Sequence, residues 1–570
     1  MKAALSLAFA GLVCVAGCKK PPVPEPAKPT AQVQQHEHAM PAMPATTAEW
    51  ANGAQLYESL GKFHRKISTA SPEAQSYFDQ GMRLLWAFNH DESTRSFAKA
   101  AQIDPQCAIC YWGVALTVGP NYNLPMMAAP RAKVAAEAEG LAQKNAEHAS
   151  EVEQALIAAL ARRYPNAEPL DPTNMAPVMT AYADAMREVA KKYPDDFDVQ
   201  TLFAESMMNL NAWKLWTLDG KPAPGTLEVV ATLERVLKKD PTHPGANHYY
   251  VHTVEASPTP QKGVASAERL VGMMPAAGHL EHMPAHIMQR VGRYEEAAEA
   301  NRKGATADET YMTQTRPLDY YSMYAGHNYQ FLAYSAAMEG RKAETVKAGQ
   351  DSRRVMPVEM LPMMPGTDWF MMAEYAGLIR FGLWDEMLKA PAPDQNLHAL
   401  YGGYLYAKGM AQAASGKTDE ARKTLQDLDS YAAKLPPDTP AGFNTAHDVL
   451  NLASDVVKAR IASSEKKTDE ALTLLRQAVA KEDKLAYNEP ADWVFPVRHL
   501  LGAQLLAAGQ AKEAEAVYRE DLKRHPNNGW SLYGLAASLR AQKKPGAEKV
   551  DREFRKAWEK SDIQLTASAF

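Results

Sequence analysis

Residues 501–526 read LGAQLLAAGQAKEAEAVYREDLKRHP, and this stretch decides the fold. Apolar residues recur at helical spacing on both sides of the GQ turn, so the stretch predicts two helices joined by a short connection. Gly502 supplies a small residue in the first helix, and Ala514 and Tyr518 occupy packing positions of the second. Helical periodicity recurs from residue 70 to the C-terminus, without a convincing alternating pattern for strands. The sequence therefore predicts an all-α protein.

Three further segments repeat this arrangement, at residues 81–105, 286–304 and 409–425. All four segments resemble the tetratricopeptide repeat, a helix-turn-helix unit of about 34 residues. The resemblance covers most of residues 70–560 and fails at 121–172 and 350–370. It implies tandem units that share a continuous core and form an α-solenoid superhelix with a concave groove.

Composition places the chain among ordinary soluble proteins rather than nucleic-acid binders. Of its 570 residues, 46% are apolar and 23% are charged, and the formal net charge is −5. Charges of both signs are interspersed, so no basic field is present to attract nucleic acid. We therefore expect no nucleic-acid partner.

The N-terminus has the features of an export signal. Lys2 supplies a positive charge, and residues 3–13 form an apolar run too short to span a bilayer. The following VAGC at 15–18 resembles a bacterial lipobox, which implies cleavage before Cys18 and lipidation of that residue. Lys19 resembles the residue found in lipoproteins that pass to the outer membrane. We therefore predict a lipid-anchored protein of the cell envelope, either facing the periplasm or at the surface.

Residues after the signal are rich in Pro, Ala and Gln and read as a tether. Its HEHAMPAM tract offers imidazole and thioether groups, which suit copper, although a linker with incidental His and Met explains it equally well. The predicted regions are a signal peptide at 1–17, a disordered tether at 18–49, and tetratricopeptide-like helices at 50–240, 241–350 and 351–570, the middle region having a histidine-rich groove.

Two cysteines remain after the signal and the lipidated residue are set aside. Cys107 and Cys110 are spaced as CAIC, which could close a disulfide, supply two metal ligands or act in redox exchange. A structural pair is our first choice, because nothing around them resembles a thioredoxin-like unit.

The repeat period relates histidines in two consecutive units. Pro241 and Pro275 are separated by one full period and take the place of the repeat family's terminal proline. Two pairs of histidines are separated by the same period: His248 with His282, and His252 with His286. The resemblance implies that their positions, the fifth and the ninth of each unit, face the concave groove.

Three more residues take groove positions by the same alignment. His279 occupies position two of its unit, Glu255 occupies position twelve, and His327 aligns with position two of the next unit. Residues four apart lie on one helix face, so each HxxxH pair offers two nitrogens to one ion. Glu255 could be a metal ligand, a carboxylate that orients an imidazole, or a general base. Because Pro284 disfavours a continuous helix, we expect the helix of His286 to begin near Glu281, with His279 on a loop.

These patterns support three functions. The first is binding of a transition metal, with copper preferred over zinc on affinity order. The second is a metal-dependent enzyme, an oxidase or hydrolase, that uses the same site, and the third is a metal-free scaffold that binds peptides or partner proteins. A weaker groove candidate surrounds His499, with Glu489, Asp492 and Trp493 upstream; these residues could bind a ligand or pack the unit boundary.

Overall fold

Helices joined by short turns make up nearly all of the structure. The computed structural model describes residues 43–127, 129–165, 170–171, 174–315 and 321–570. The first group of helices is α1 Thr47–Trp50, α2 Pro72–Trp86, α3 His90–Ile103, α4 Ala108–Thr117, α5 Ala129–Lys144, α6 Glu151–Leu160, α7 Ala176–Lys192, α8 Phe197–Met208, α9 Thr226–Lys239, α10 Pro244–Glu255, α11 Val264–Leu270, α12 Gly278–His282 and α13 Pro284–Arg290.

The remaining helices continue the same arrangement to the C-terminus. They are α14 Tyr294–Thr315, α15 Tyr321–Met338, α16 Lys342–Val355, α17 Met372–Arg380, α18 Trp384–Lys389, α19 His398–Ala414, α20 Thr418–Ala432, α21 Ala446–Ser464, α22 Thr468–Glu482, α23 Val497–Ala507, α24 Ala511–Arg524, α25 Gly529–Ala541 and α26 Ala547–Ala557. Short 3-10 helices lie at Ala146–His148, Asn209–Asn211, Pro260–Gly263, Val358–Met363 and Thr367–Met371.

Helix pairing follows the pattern of small and aromatic residues in the sequence. A Cβ atom added to Gly502 would lie 2.3 Å from the Tyr518 ring, and one added to Gly81 would lie 2.6 Å from the Phe97 ring. The glycine of the first helix therefore admits the aromatic ring of the second. Neighbouring helices along the chain pack on one another in this way, as in α2 with α3 and α24 with α25. The predicted all-α fold, built from consecutive helix pairs, is confirmed.

Two regions differ from the simple repeat. Around residues 350–370, where the resemblance to the repeat fails, the chain forms the 3-10 helices Val358–Met363 and Thr367–Met371. A small antiparallel ribbon, which the sequence did not predict, pairs β1 Pro440–Ala441 with β2 Asn444–Thr445. Each strand has only two residues, which is too short for an alternating pattern to be visible.

Most of the apolar core lies in two large clusters. One large cluster of buried side chains runs from Trp50 to Phe331, and a second runs from Met356 to Val550. The described residues of 42–570 belong to one compact unit. Helix α1 begins at Thr47, so the predicted tether of 18–49 overlaps the folded unit by a few residues.

The two cysteines of CAIC are joined in a disulfide. Cys107 is the residue before α4 and Cys110 lies in its first turn, with both side chains fully buried. Of the three possibilities that the spacing left open, the structure contains the covalent pair.

Candidate metal centre

Helix α10 carries three of the predicted site residues on one buried element. Pro244 opens the helix, where its fixed φ and missing N–H cost nothing, and the His243 ring accepts a hydrogen bond from the Ala246 N–H at 3.0 Å. The i, i+4 spacing then places His248 and His252 side by side, with ring centroids 5.0 Å apart.

Pro284 divides the next histidine segment into two short helices. His279 and His282 lie in α12, and His286 lies in α13, which begins at Pro284 itself. Proline is tolerated because it occupies the first helical position. Met283 keeps right-handed helical angles, so the chain passes from one helix to the other with the HxxxH face retained. The expectation that His279 lies on a loop is therefore wrong.

Six histidines from these helices and α15 form two groups of three. We call His248, His252 and His279 the first triad, and His282, His286 and His327 the second triad. In each triad, one candidate ligand atom from every member lies within 4.8 Å of the others. The ring centroids are 5.0 to 6.0 Å apart in the first triad and 4.7 to 6.0 Å apart in the second. All six predicted histidines are thus brought together.

Glu255 lies between the two triads. Its Oε1 accepts a hydrogen bond from His252 Nδ1 at 2.8 Å, and its Oε2 accepts one from His286 Nδ1 at 2.5 Å. These contacts are those of the second role that the sequence allowed, a carboxylate that orients an imidazole in each triad. The ligand role also stays open, because one Glu255 oxygen lies within 4.8 Å of candidate ligand atoms of both His252 and His286. Burial alone would raise the pKa of Glu255, but the charge of His286 and the hydrogen bonds from both histidines outweigh it and lower the pKa.

Other anchors occupy the Nδ1 atoms of two more histidines. His248 Nδ1 donates to the Trp86 carbonyl at 2.6 Å, and His282 Nδ1 lies 2.7 Å from the Asn301 Oδ1. With the two imidazoles on Glu255, four rings have their Nδ1 side turned toward a fixed acceptor. This arrangement leaves the Nε2 lone pair for a ligand.

Several ring nitrogens of the cluster are buried without a hydrogen-bond partner among the described residues. His248 Nε2, His252 Nε2 and both ring nitrogens of His279 are buried and have no hydrogen-bond partner among the described residues. His282 Nε2 and His286 Nε2 face each other at 2.7 Å. A buried polar atom without a partner costs free energy, so several such nitrogens in one place indicate a binding role.

Burial keeps most of these imidazoles neutral. It lowers the pKa of five of them below the ordinary histidine value: His248, His252, His279, His282 and His327, the last to about 3. A metal ion binds the neutral form, so these rings are ready to coordinate without losing a proton. The exception is His286, whose pKa would be lowered by burial but is raised by the facing carboxylates.

Aromatic rings from distant segments cover the cluster. Phe88 lies with its centroid 4.5 to 5.9 Å from the three rings of the first triad, and Phe331 lies 5.3 Å from His282 and from His286. Tyr122 and Trp213 pack on His252. The two HxxxH pairs and His279 are at most 3% exposed. These five histidines are therefore enclosed rather than open to solvent, whereas His327 is partly exposed.

Two of the covering residues adopt left-handed backbone angles. Phe88 has φ 54° and Trp213 has φ 60°. This conformation costs a residue with a side chain roughly 1–2 kcal/mol, and such strain collects at functional sites. Both residues contact the first triad, so the strained backbone lies where the free ring nitrogens are.

Glu489 adds a second carboxylate that the sequence did not connect with the cluster. Its Oε2 lies 3.4 Å from His286 Nδ1, and neither carboxylate oxygen has a hydrogen-bond partner in the described part of the chain. Burial raises the pKa of Glu489. This side chain also lines a cavity of about 510 Å³, together with Gln289, Arg290 and Tyr334. The cavity therefore reaches the edge of the second triad.

Some predicted residues lie outside the described part of the chain, and some residues that contact the histidines were not predicted. Cys18 and the HEHAMPA part of the tether lie outside the described residues. Trp86, Phe88 and Asn301 were missed, because no periodic signal links them to the histidines. Among the described residues, none of the helices combines the length and the apolar character needed to cross a bilayer.

Comparisons with known proteins find similarity only at the level of structure. No protein-family model and no curated protein matches the chain. Similar solved structures include the APC/C hetero-tetramer Cut9-Hcn1, with 14% identity, 86% of this chain and 77% of that chain covered, and a TM-score of 0.31. Human IFIT1 bound to m7Gppp-AAAA follows with 10% identity, coverage of 79% and 90%, and a TM-score of 0.32. Yeast Tom70 has 13% identity, coverage of 85% and 91%, and a TM-score of 0.28. The helices of this chain and their pairing define its all-α fold.

Proposed function

We propose that this chain is an exported, lipid-anchored helical-repeat protein that binds a transition metal at its buried histidine cluster. The observation that carries the proposal is the orientation of the rings. Nδ1 atoms of four histidines meet fixed acceptors. Among their Nε2 atoms, those of His282 and His286 face each other, and those of His248 and His252 are buried without a partner in the described part of the chain. Metal-binding histidines have this pattern, because the outer hydrogen bond fixes the tautomer and makes the inner nitrogen a better donor.

Energetics support the same conclusion. Burying a polar group without a partner costs roughly 1–3 kcal/mol in proteins, and His248, His252 and His279 each leave at least one ring nitrogen without a partner among the described residues. A bound ion would satisfy these atoms together. Apolar packing alone would be served better by leucine or phenylalanine at the same positions, as Phe88 and Phe331 illustrate beside them.

Copper is our first choice of metal and zinc the second. All six inward donors are imidazoles, and copper exceeds zinc in affinity for nitrogen sites. The His and Met residues of the N-terminal tether would add imidazole and thioether donors, which also favour copper. Calcium and magnesium prefer several oxygen ligands, and the carboxylates that contact the triads among the described residues are Glu255 and Glu489.

Metal analysis tests the proposal. The full-length chain is stripped with a chelator, reloaded with copper or zinc, desalted and measured by elemental mass spectrometry. We expect bound metal in the parent and a clear loss in His252→Ala and His286→Ala. His148→Ala, which alters an exposed histidine, is the matched control. No metal in the parent, or equal metal in all variants, contradicts the proposal.

A metal-dependent enzyme is the second candidate, favoured by the number of ligands. Each triad supplies three imidazoles, and a site with three protein ligands keeps a position for water or substrate. The cavity lined by Glu489 lies beside the second triad, because this carboxylate is 3.4 Å from His286. Oxygen uptake with ascorbate as electron donor, and hydrolysis of a nitrophenyl ester, distinguish an oxidase from a hydrolase. If neither reaction is faster with the loaded chain than with the stripped chain, the enzyme candidate is excluded for these two reactions and metal binding without catalysis stands.

Partner binding remains a function of the outer helical surface rather than of the histidines. Rings that are at most 3% exposed cannot donate hydrogen bonds to a docked peptide. A scaffold role would therefore use other faces of the solenoid and could coexist with the metal site. Co-purification of partners with both the parent and His252→Ala would show that the two functions are separate.

A further inference from the structure

We propose that the cluster holds two copper(I) ions, one in each histidine triad. This inference rests on the proposed metal binding and specifies its stoichiometry and oxidation state. The two triads share no histidine, and each collects three candidate ligand atoms within 4.8 Å. Three nitrogen donors are a sufficient set for one ion with an open position.

The repeat builds the two triads in the same way. The first triad takes the histidines at positions five and nine of one unit, His248 and His252, and position two of the following unit, His279. The second takes positions five and nine of that following unit, His282 and His286, and position two of the next, His327. Ring spacings in the two triads agree within a few tenths of an ångström for each corresponding pair. The same arrangement of three histidines therefore occurs twice.

Glu255 makes one hydrogen bond to a histidine of each triad. Its two carboxylate oxygens each accept from one histidine, His252 of the first triad and His286 of the second. If all six rings served one ion, this central carboxylate would have no reason to divide its contacts between the triads. Six imidazoles around one ion would also give an octahedral set, a geometry associated with oxygen-ligated metals such as magnesium and manganese.

Charge selects the oxidation state. Among the described residues, two carboxylates contact the histidines of the triads, Glu255 and Glu489, so they offer two negative charges at most. Two copper(I) ions are balanced by them, whereas two divalent ions would leave two positive charges in a site that is almost fully buried. Uncompensated buried charge is strongly unfavourable. Trigonal coordination by neutral nitrogen is compatible with the monovalent ion.

Counting bound copper tests the inference. The full-length chain is loaded anaerobically with excess copper(I), passed over a chelating column and analysed for copper per chain. We expect two copper ions in the parent, one in His279→Ala, one in His327→Ala and none in the double variant. His148→Ala serves as the control and should retain two. His279→Gln and His327→Gln repeat the test with side chains that keep more of the ring volume, and circular dichroism verifies that every variant is folded.

The outcomes separate this inference from the function on which it rests. One copper per parent chain, lost in both single variants, means a single shared ion and overturns the two-ion inference while metal binding stands. No copper and no zinc in the parent overturns both. Two zinc ions bound under the same conditions in preference to copper(I) overturn the charge argument. Anomalous scattering from copper-loaded crystals should show two separate peaks.

Discussion

His282 Nε2 lies 2.7 Å from His286 Nε2, at the centre of the second triad. The Nδ1 sides of both rings face oxygen acceptors, on Asn301 and Glu255, so two nitrogen lone pairs would meet unless a cation separates them. A proton on His286 meets this need in the chain as it stands. A metal ion would replace that proton and bind both nitrogens at once.

Glu255 is expected to control affinity without being a metal ligand. Glu255→Gln keeps the shape of the side chain but removes the charge and leaves one amide that cannot accept from both His252 and His286. We expect the dissociation constant for copper to rise by about 10- to 100-fold. Competition with a chromophoric copper(I) chelator measures it, and Glu281→Gln, which lines a separate surface cavity, is the control. Equal affinities would exclude the orienting role.

Phe88 should respond to glycine and alanine in the reverse of the usual order. Either change removes the buried ring and costs about 3–5 kcal/mol of unfolding free energy. Since φ is 54° at this position, Phe88→Gly should be more stable than Phe88→Ala by roughly 1 kcal/mol. Phe78, in the middle of α2, provides the comparison, where glycine should be the less stable by about 1 kcal/mol. Chemical denaturation gives both differences, and the same order at the two positions would contradict the strain.

Ionised Asp521 should stabilise the C-terminal helices, and this stabilisation should be lost in acid. It accepts hydrogen bonds from His499, His525 and two groups at the start of α25, Asn528 and Ser531, at 2.7 to 3.0 Å. Burial would raise the pKa of Asp521, but the charges and hydrogen bonds of the histidines hold it well below its ordinary value.

Because the folded-state pKa of Asp521 lies below the unfolded value of about 3.9, its stabilisation is present above that pH. It is lost as the pH falls through the folded-state pKa. We expect Asp521→Asn to lower the free energy of unfolding by about 3 kcal/mol at pH 7, with a smaller difference from the parent in strong acid. Urea titrations between pH 2 and 7 measure the difference, and the exposed Glu548→Gln should behave like the parent. A difference independent of pH would show that the carboxylate charge is unimportant.

Cys18 should decide where the protein is found. If the VAGC segment directs lipidation, Cys18→Ala abolishes the acyl anchor and moves the chain from the membrane pellet to the soluble fraction. Cys14→Ala, slightly earlier in the same segment, should leave the distribution unchanged. Mass spectrometry of the N-terminal peptide gives an independent reading, and a Cys18→Ala chain that stays with the membrane would argue against the anchor.

The sequence predicted the helices and the clustering of the histidines better than it predicted their surroundings. The repeat period relates His248 to His282 and His252 to His286, and the structure brings these pairs together with His279 and His327. Helical spacing is a local property, so it can be read from the chain. His279 was wrongly placed on a loop, because Pro284 starts a new helix instead of shortening the old one.

Enclosure of the site could not be read from the sequence in the same way. Phe88, the Trp86 carbonyl and Glu489 approach the histidines from segments far away in the chain, and only the packing of helices brings them there. Backbone carbonyls carry no sequence signal at all. An open groove was therefore the natural expectation from a single repeat, and its closure is a property of the whole unit.

Contacts to the histidines come from as far apart as Trp86 and Glu489, so no fragment of the chain contains the complete centre. A chain that crosses a membrane unfolded would carry the ligands without the site. The compartment in which the last helices assemble would then determine which ion is captured, because only there do the donors meet. Metal identity would depend on the place of folding as much as on the chemistry of the imidazoles.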